Sequence, residues 1–373
     1  MTELCNIGGA AAPVGFRPIR MAFDGAALRH NLGIAKQHAG PACLWSVVKA
    51  NAYGHGLMRA VDALVDVADG FALIELENAI ALRESGIRQP LLMLEGFYSP
   101  EQLPLFAEYG LTTVLHSLDQ IRVLCAQSLP VQLPVYLKLN TGMNRLGLVE
   151  NEMPEALERL AQARCVSSIT LMTHFADADG KQGVAGQLAK LNAMRAGRPE
   201  PISIANSAAL LRYPDAVGDW ARSGIMLYGG SPFPDQQSAA ELGLRPVMTF
   251  SSELIAVREI APGDQIGYGG TFTALRPMKI GVVACGYADG YPRHAPTGTP
   301  ILVDGVRTRT LGRVSMDKLC VDLTPVPKAQ TGTPVILWGE GLPADDVATA
   351  AGTISYELFC AITARVPVVC TDD

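Results

Sequence analysis

Cys43-Leu44-Trp45-Ser46-Val47-Val48-Lys49 is followed by Leu57-Met58-Arg59-Ala60-Val61-Asp62-Ala63-Leu64-Val65-Asp66-Val67, and then by Gly70-Phe71-Ala72-Leu73-Ile74-Glu75-Leu76. The outer two stretches are nearly continuous apolar runs of strand length. The middle one repeats apolar residues at helical spacing, through Leu57, Ala60, Val61 and Leu64. A strand apolar on both faces, a helix and a second such strand make a parallel βαβ unit, since helices must cover both faces of a parallel sheet. The same texture recurs along the chain. Strand-like runs stand at Pro90–Glu95, Thr112–His116, Pro134–Asn140, Ser168–His174, Pro201–Asn206 and Arg222–Tyr228. Amphipathic stretches such as Glu77–Glu84, Pro100–Tyr109 and Gln187–Arg195 lie between them. Eight runs predict a closed α/β barrel, (β/α)8 of TIM type, over residues 24–245, rather than an open doubly wound sheet.

Beyond residue 245 the texture changes. Thr249–Ile260, Lys279–Cys285, Pro300–Val306, Cys320–Leu323 and Pro334–Trp338 read as strands separated by Pro/Gly turns such as Ala261-Pro262-Gly263-Asp264. Few helical stretches intervene, Pro343–Ala351 and Tyr356–Ala364 being the candidates. Residues 246–373 are therefore expected to form a mostly antiparallel C-terminal β-domain, joined by an N-terminal strand around 17–23.

Composition narrows the function classes. The 373 residues are 49% hydrophobic and 18% charged, ample for packed cores. A net charge of −6 without a Lys/Arg-rich run argues against nucleic acid as a partner. No charge-free stretch of about 18 residues suggests a membrane span. The opening Met1-Thr2-Glu3 lacks the basic start of a secretory signal. Eight scattered cysteines without a C-x-x-C pair read as reduced thiols, so a cytoplasmic location is expected.

In a (β/α)8 barrel the active site lies at the C-terminal ends of the strands. Lys49 ends the first run, behind Trp45, Ser46, Val47 and Val48. Partial desolvation there favours a neutral, nucleophilic amine of the kind that forms Schiff bases with carbonyl compounds, pyridoxal phosphate included. A surface lysine where strand meets loop is the plainer reading of the same position. His174 closes the sixth run, Ser207 follows the seventh, and Arg222 opens the eighth. Ser207 with the bare amides of Gly224-Ile225 offers a phosphate seat at the last βα loops. His174-Phe175-Ala176-Asp177-Ala178-Asp179 lacks the second histidine of a metal motif, so no metal is expected. G-x-S-x-G is absent, and Gly267-Tyr268-Gly269-Gly270 reads as a β-turn rather than a dinucleotide fingerprint.

Nine motifs in order carry a family resemblance. Val47-Val48-Lys49-Ala50-Asn51-Ala52-Tyr53-Gly54-His55-Gly56 resembles the pyridoxal-phosphate lysine segment of the alanine racemases. The likeness continues through Asn140-Thr141-Gly142-Met143-Asn144-Arg145-Leu146-Gly147, Thr173-His174-Phe175, Asn206-Ser207-Ala208-Ala209 and Arg222-Ser223-Gly224-Ile225-Met226-Leu227-Tyr228-Gly229. It runs on through Gly267-Tyr268-Gly269, Gly286-Tyr287-Ala288-Asp289-Gly290, Ser315-Met316-Asp317 and Ile354-Ser355-Tyr356-Glu357. Ser223 departs from the proline of many members, and the first 15 or so residues have no counterpart.

The resemblance implies a barrel plus β-domain assembled as a head-to-tail homodimer that interconverts L-alanine and D-alanine. By resemblance, Lys49 holds pyridoxal 5'-phosphate as an aldimine and, once freed, serves as one catalytic base. Tyr268 of the other subunit is the base on the opposite face, because racemisation through a planar carbanion with a separate base for each side needs both. A phenol with a pKa near ~10 acts as a base only beside positive charge. Tyr53, Ser207, Gly224, Ile225 and Tyr356 are implied as phosphate ligands, Arg222 as the partner of the pyridine nitrogen, and His174 as its orienting neighbour. Arg145 and the partner's copy of Met316 are implied at the substrate carboxylate, and Tyr287 and Tyr356 at the entrance. In some relatives the lysine matching Lys138 carries a carbamate. The alternatives are an amino-acid decarboxylase of the same barrel-plus-β fold, distinguishable by carbon dioxide release, a racemase with broader specificity for serine or other small amino acids, and a non-enzymatic pyridoxal-phosphate binding module. Related binding modules consist of the barrel alone, so the C-terminal domain argues against that class.

Overall fold

The computed structural model describes residues 17–371. Strand β1 (Arg20–Phe23) precedes eight strands that close into a parallel barrel. These are β2 (Cys43–Val47), β3 (Gly70–Leu73), β4 (Leu91–Met93), β5 (Thr112–Leu115), β6 (Leu133–Lys138), β7 (Val166–Met172), β8 (Ile202–Ser203) and β9 (Trp220–Ser223). β2 pairs with β9 to close the ring, with Trp45 opposite Arg222 and Ser46 opposite Ser223. Helices such as Leu76–Glu84 and Leu118–Cys125 intervene, as the alternating texture predicts. Within the ring, Trp45 stacks on Trp220 at 4.4 Å and its Nε1 donates to Tyr136 Oη at 3.1 Å. Arg222, two residues on from Trp220, shares its face of the strand.

The remaining strands are β10 (Met248–Ile260), β11 (Gln265–Ile266), β12 (Phe272–Thr273), β13 (Met278–Val283), β14 (Pro300–Val303), β15 (Val306–Leu311), β16 (Leu319–Asp322), β17 (Pro334–Trp338) and β18 (Val368–Cys370). The large sheet runs β13-β16-β15-β14-β17-β10-β1-β18 and is antiparallel except for the pairing of β1 with β18. β11 and β12 form a separate two-stranded ribbon. The chain divides into two compact units. The barrel unit comprises Leu32–Ala52 and Ala60–Leu227, and the sheet unit comprises residues 17–31, Tyr53–Arg59 and residues 228–371. Among the described residues, no helix is long and apolar enough to cross a membrane.

Three local expectations are corrected. The eighth barrel strand is Trp220–Ser223, so Arg222 sits inside it rather than opening it, and Ile225–Tyr228 forms a 3-10 turn. The apolar Ile225-Met226-Leu227-Tyr228 run had drawn the boundary too far along the chain; burial in a turn requires the same residues as burial in a strand. Pro300–Val306 is not one strand: β14 and β15 form a hairpin around Asp304-Gly305, both with positive φ. Lys49 and His174 stand one or two residues beyond their strands, not at the last strand positions.

Candidate active site

The barrel unit gathers its charged residues at the C-terminal ends of its strands. Lys49, half-buried, stands two residues beyond β2. The next four residues, Ala50, Asn51, Ala52 and Tyr53, have φ between 52° and 54°, one turn of left-handed helix without a glycine. L-residues disfavour this conformation by roughly 1–2 kcal/mol each, so the turn must be held from outside. Ala50 N–H donates to Glu75 Oε1 at 3.1 Å, and Ala52 N–H to Val48 O at 2.9 Å. Nothing in the composition of Lys49–Tyr53 signals such a turn.

Arg222 is 4% exposed. Its Nη1 donates to Ser203 O and Ser203 Oγ, both at 2.8 Å; its Nη2 reaches Thr173 O at 2.6 Å, Ile204 O at 3.2 Å and His174 Nδ1 at 3.2 Å. Guanidinium has no lone pair, so His174 Nδ1 accepts and the imidazole proton sits on Nε2. Burial, followed by the charges of Arg222, Lys138, Arg145 and Lys49, pushes the His174 imidazolium well below its usual range. A neutral ring is the state this contact needs. Burial lowers Arg222 to about 10, which leaves it cationic at neutral pH. Among the described residues, no hydrogen bond engages its Nε–H.

Lys138, at the end of β6, is lowered to about 8 by burial and by the charges of Arg222 and Arg145. It lines, with Arg145 and His174, a cavity of about 10 Å³, room for about one water-sized group. Arg145 is exposed on the loop that Asn140 folds: Asn140 Oδ1 accepts from the Gly142 and Asn144 amides at 3.2 and 3.0 Å. Asn144 has a left-handed φ of 55°, and a Cβ on Gly147 would lie 2.7 Å from the Asn140 nitrogen, which calls for glycine there. Lys49, Lys138, Arg145 and Arg222 form no salt bridge with a carboxylate among the described residues. Ser207 opens the helix Ser207–Arg212, capped by the Asn206 side chain, and its Oγ accepts from Gly224 N–H at 3.0 Å. Ser207 and Gly224 thus stand together, but the Gly224 amide is spent on Ser207 Oγ rather than bare; Ile225, next in sequence, is fully buried.

The sheet unit holds the other candidates. Tyr53 stacks on Tyr228 at 4.7 Å and faces Tyr356 at 5.9 Å. Gly54, next to Tyr53, approaches Phe359 so closely that a Cβ would fall 2.0 Å from its carbonyl oxygen. Tyr268 stands at the tip of the β11–β12 hairpin, 71% exposed, between Gly267 and Gly269, both left-handed. Ile266 and Phe272 at the hairpin base pack with Ile280 and Leu311. Tyr287 and Met316 lie on two joined loops: Tyr287 N–H donates to Ser315 O and Ala288 N–H to Met316 O, each at 3.0 Å. Asp289, fully buried, takes both Arg17 Nη groups and caps this turn through Gly286 N–H at 2.9 Å. Thr141, Thr173 and Asp289 lie inside the quoted motifs without an assigned role, and Gln187 and Ser203 lie outside them. Each acts by holding backbone or another side chain, a role without a motif.

Comparison with known proteins agrees with this arrangement. Residues 23–232 match the alanine racemase N-terminal domain and residues 247–370 the alanine racemase C-terminal domain. The alanine racemase of Nitrosomonas eutropha is 53% identical over 359 residues, which cover 95% of this chain and 99% of the relative. A catabolic alanine racemase of Salmonella typhimurium is 50% identical over 355 residues, covering 95% and 99%. The crystal structure of the biosynthetic alanine racemase of Pseudomonas aeruginosa superposes with a TM-score of 0.93 at 44% identity, over 96% of this chain and 100% of that one. The barrel, the sheet and the full-length likeness together place the chain in the alanine racemase family.

Proposed function

We propose that the protein interconverts L-alanine and D-alanine using pyridoxal 5'-phosphate, with Lys49 of one protomer and Tyr268 of a second as the two bases. The observation that carries this reading is that buried Lys138 and Arg222 stand with Lys49 and Arg145 at one barrel mouth, none of the four in a salt bridge with a carboxylate among the described residues and Glu95 only partly offsetting their charge at Lys138. Burying positive charge is costly unless an anion compensates it. A cofactor phosphate and phenolate, together with a substrate carboxylate, supply that anion. The Nε–H of Arg222, which makes no hydrogen bond among the described residues, is a donor of the kind a pyridine nitrogen accepts from. The residues present therefore fit the cofactor.

When bound, pyridoxal phosphate supplies an aldehyde that takes the substrate amine and a ring that draws charge from Cα. Lys49 Nζ would hold the cofactor at rest and, once free, would take or return the proton on one face of Cα. Tyr268 Oη does the same on the opposite face. Ser207, Gly224 and Ile225 bind the phosphate, with Tyr53 and Tyr356. Arg222 donates to the pyridine nitrogen and leaves it unprotonated; a weaker electron sink favours return of the proton to Cα over transamination. His174, neutral, keeps Arg222 in its plane. Arg145 and Met316 of the second protomer bind the substrate carboxylate, and Tyr287 and Tyr356 narrow the entrance to small side chains. Lys138 retains a neutral fraction near pH 7, the form that adds carbon dioxide to become a carbamate facing Arg145.

The division of labour follows the chain: residues 24–245 carry the lysine half of the site, and residues 246–373, with the strand around 17–23, carry the tyrosine half. The exposure of Tyr268 (71%) and Met316 (52%) supports a homodimer in which each copy serves the other's site. Cys43, Cys125, Cys165, Cys285 and Cys320 are free thiols, which suits a reducing cytoplasm. Borohydride reduction of the holo-protein followed by peptide mapping tests the reading. The pyridoxyl label is expected on Lys49, and chiral analysis should show both alanine enantiomers from either one. A label elsewhere, or a product other than alanine, overturns it.

A further inference from the structure

Gln187 lies in the first turn of the helix Ala185–Arg195, half-buried against two loops of the barrel mouth. Its Oε1 accepts from Ala176 N–H at 2.7 Å. Its Nε2 donates to His174 O at 3.1 Å and to Thr141 Oγ1 at 3.0 Å. Both amide hydrogens are spent, and one side chain grips the backbone on either side of Phe175. Thr141 Oγ1 in turn lies 2.7 Å from Thr173 Oγ1, which donates to Leu139 O at 3.0 Å. The carbonyl of Thr173 receives Arg222 Nη2, as does the ring of His174. Two groups that set the plane of the guanidinium therefore hang on backbone that Gln187 holds. The same side chain pins Thr141, at the root of the loop that carries Arg145.

We propose that Gln187 is a positioning residue for the racemase reaction: it locks the loops after β6 and β7 to each other and so fixes the direction in which Arg222 presents its Nε–H to the cofactor. The assignment rests on the racemase reading of the site. Its chemical requirement is specific. Two donors and one acceptor must point at a carbonyl, a hydroxyl and an amide, so a side chain of equal size with the wrong polarity cannot serve. Gln187→Glu places a second acceptor where His174 O already stands, and the like charges of two lone pairs force the loop apart. Gln187→Met keeps the length and removes all three bonds. Lys190→Ala, exposed on the same helix, is the control.

Each protein is resolved from pyridoxal phosphate and titrated with it, and the reconstituted holo-protein is examined for visible absorbance and for kcat and KM. For Gln187→Glu and Gln187→Met, cofactor Kd is expected to rise about tenfold, the scale of one lost hydrogen bond to a positioned group. The visible band of the bound cofactor should shift and kcat should fall, because the polarity around the pyridine nitrogen has changed. Lys190→Ala should match wild type throughout. Wild-type affinity and spectrum in both variants overturns the proposal even if their Tm falls, since a merely structural role lowers stability without moving the band. Failure of both variants to fold overturns it as well, as Gln187 would then serve the barrel rather than the site. Wild type that takes up no pyridoxal phosphate overturns the racemase reading itself, an outcome visible before any variant is made.

Discussion

The mouth of the barrel and the tip of the β11–β12 hairpin present opposite designs. At the mouth, Arg222 is almost wholly buried and four of its five hydrogens are spoken for by Ser203, Thr173, His174 and Ile204. At the tip, Tyr268 is 71% exposed, and the rigidity lies beneath it in the packing of Ile266 and Phe272. The first region is built to hold a bound group still by excess fixed charge. The second is built to carry one phenol outward on a short stiff arm. Under the proposed two-base reading, preorganisation is needed only where charge must be stabilised, and the phenol requires reach, which a hairpin tip between two left-handed glycines suits. Single changes in the two regions should accordingly fail in different ways.

The largest effect is expected from Lys49→Ala, which removes the covalent anchor and one base together. Activity in both directions should drop by more than about 10⁴-fold, and borohydride should leave no label. Residual turnover near wild type would dissolve the distinction between the regions, because the mouth would then hold charge without chemistry. Tyr268→Phe should be narrower, cutting conversion from L-alanine by roughly 10²–10⁴-fold while solvent deuterium still enters Cα from D-alanine. Net racemisation must fall equally in both directions, since the enantiomers are isoenergetic, so the exchange decides: its loss from D-alanine as well would make Tyr268 an entrance residue. Mixing the two inactive proteins sharpens the point. If each copy supplies its hairpin to the other, a one-to-one mixture of freely exchanging subunits recovers about a quarter of wild-type rate, from hybrid dimers with one intact site. No recovery would mean that Lys49 and Tyr268 of the same chain work together.

The alternating apolar runs carried the barrel because parallel strands are buried on both faces, and the pattern survives short strands such as Ile202–Ser203. Position drew attention to Lys49, His174, Ser207 and Arg222 together, since strand ends in a barrel share one mouth, but a surface lysine stayed the plainer reading of Lys49 until the motifs were added. The hairpin at Asp304-Gly305 carried its own turn signature and was still read through, because Val306 continued the apolar run of Pro300–Val303. The left-handed turn at 50–53 was illegible for a deeper reason. Ala, Asn, Ala and Tyr adopt it only because contacts such as Glu75 to Ala50 N–H hold it, and Glu75 lies 25 residues away. The bracing residues Gln187, Thr141 and Thr173 share this fate: local sequence encodes a side chain's capacity to bond, while the choice of partner belongs to the tertiary structure.

The smallest effect separates the two regions by proton linkage. His174 is held neutral by burial and by the neighbouring cations, so its folded-state pKa lies well below 6.5, whereas in the unfolded chain it protonates near 6.5. Below that pH the unfolded state binds the extra proton and the folded state does not, so stability is lost as pH falls and is fully retained above it. Comparing wild type with His174→Gln in denaturant unfolding isolates this contribution. Their stability difference should be flat above pH 6.5 and should move against wild type by up to about 1.4 kcal/mol per pH unit below it. Tyr268→Phe, compared in the same way, is the control from the exposed hairpin tip. A slope absent from the His174 pair would mean that the imidazole charges in place, and the contact with Arg222 would then lose its acceptor.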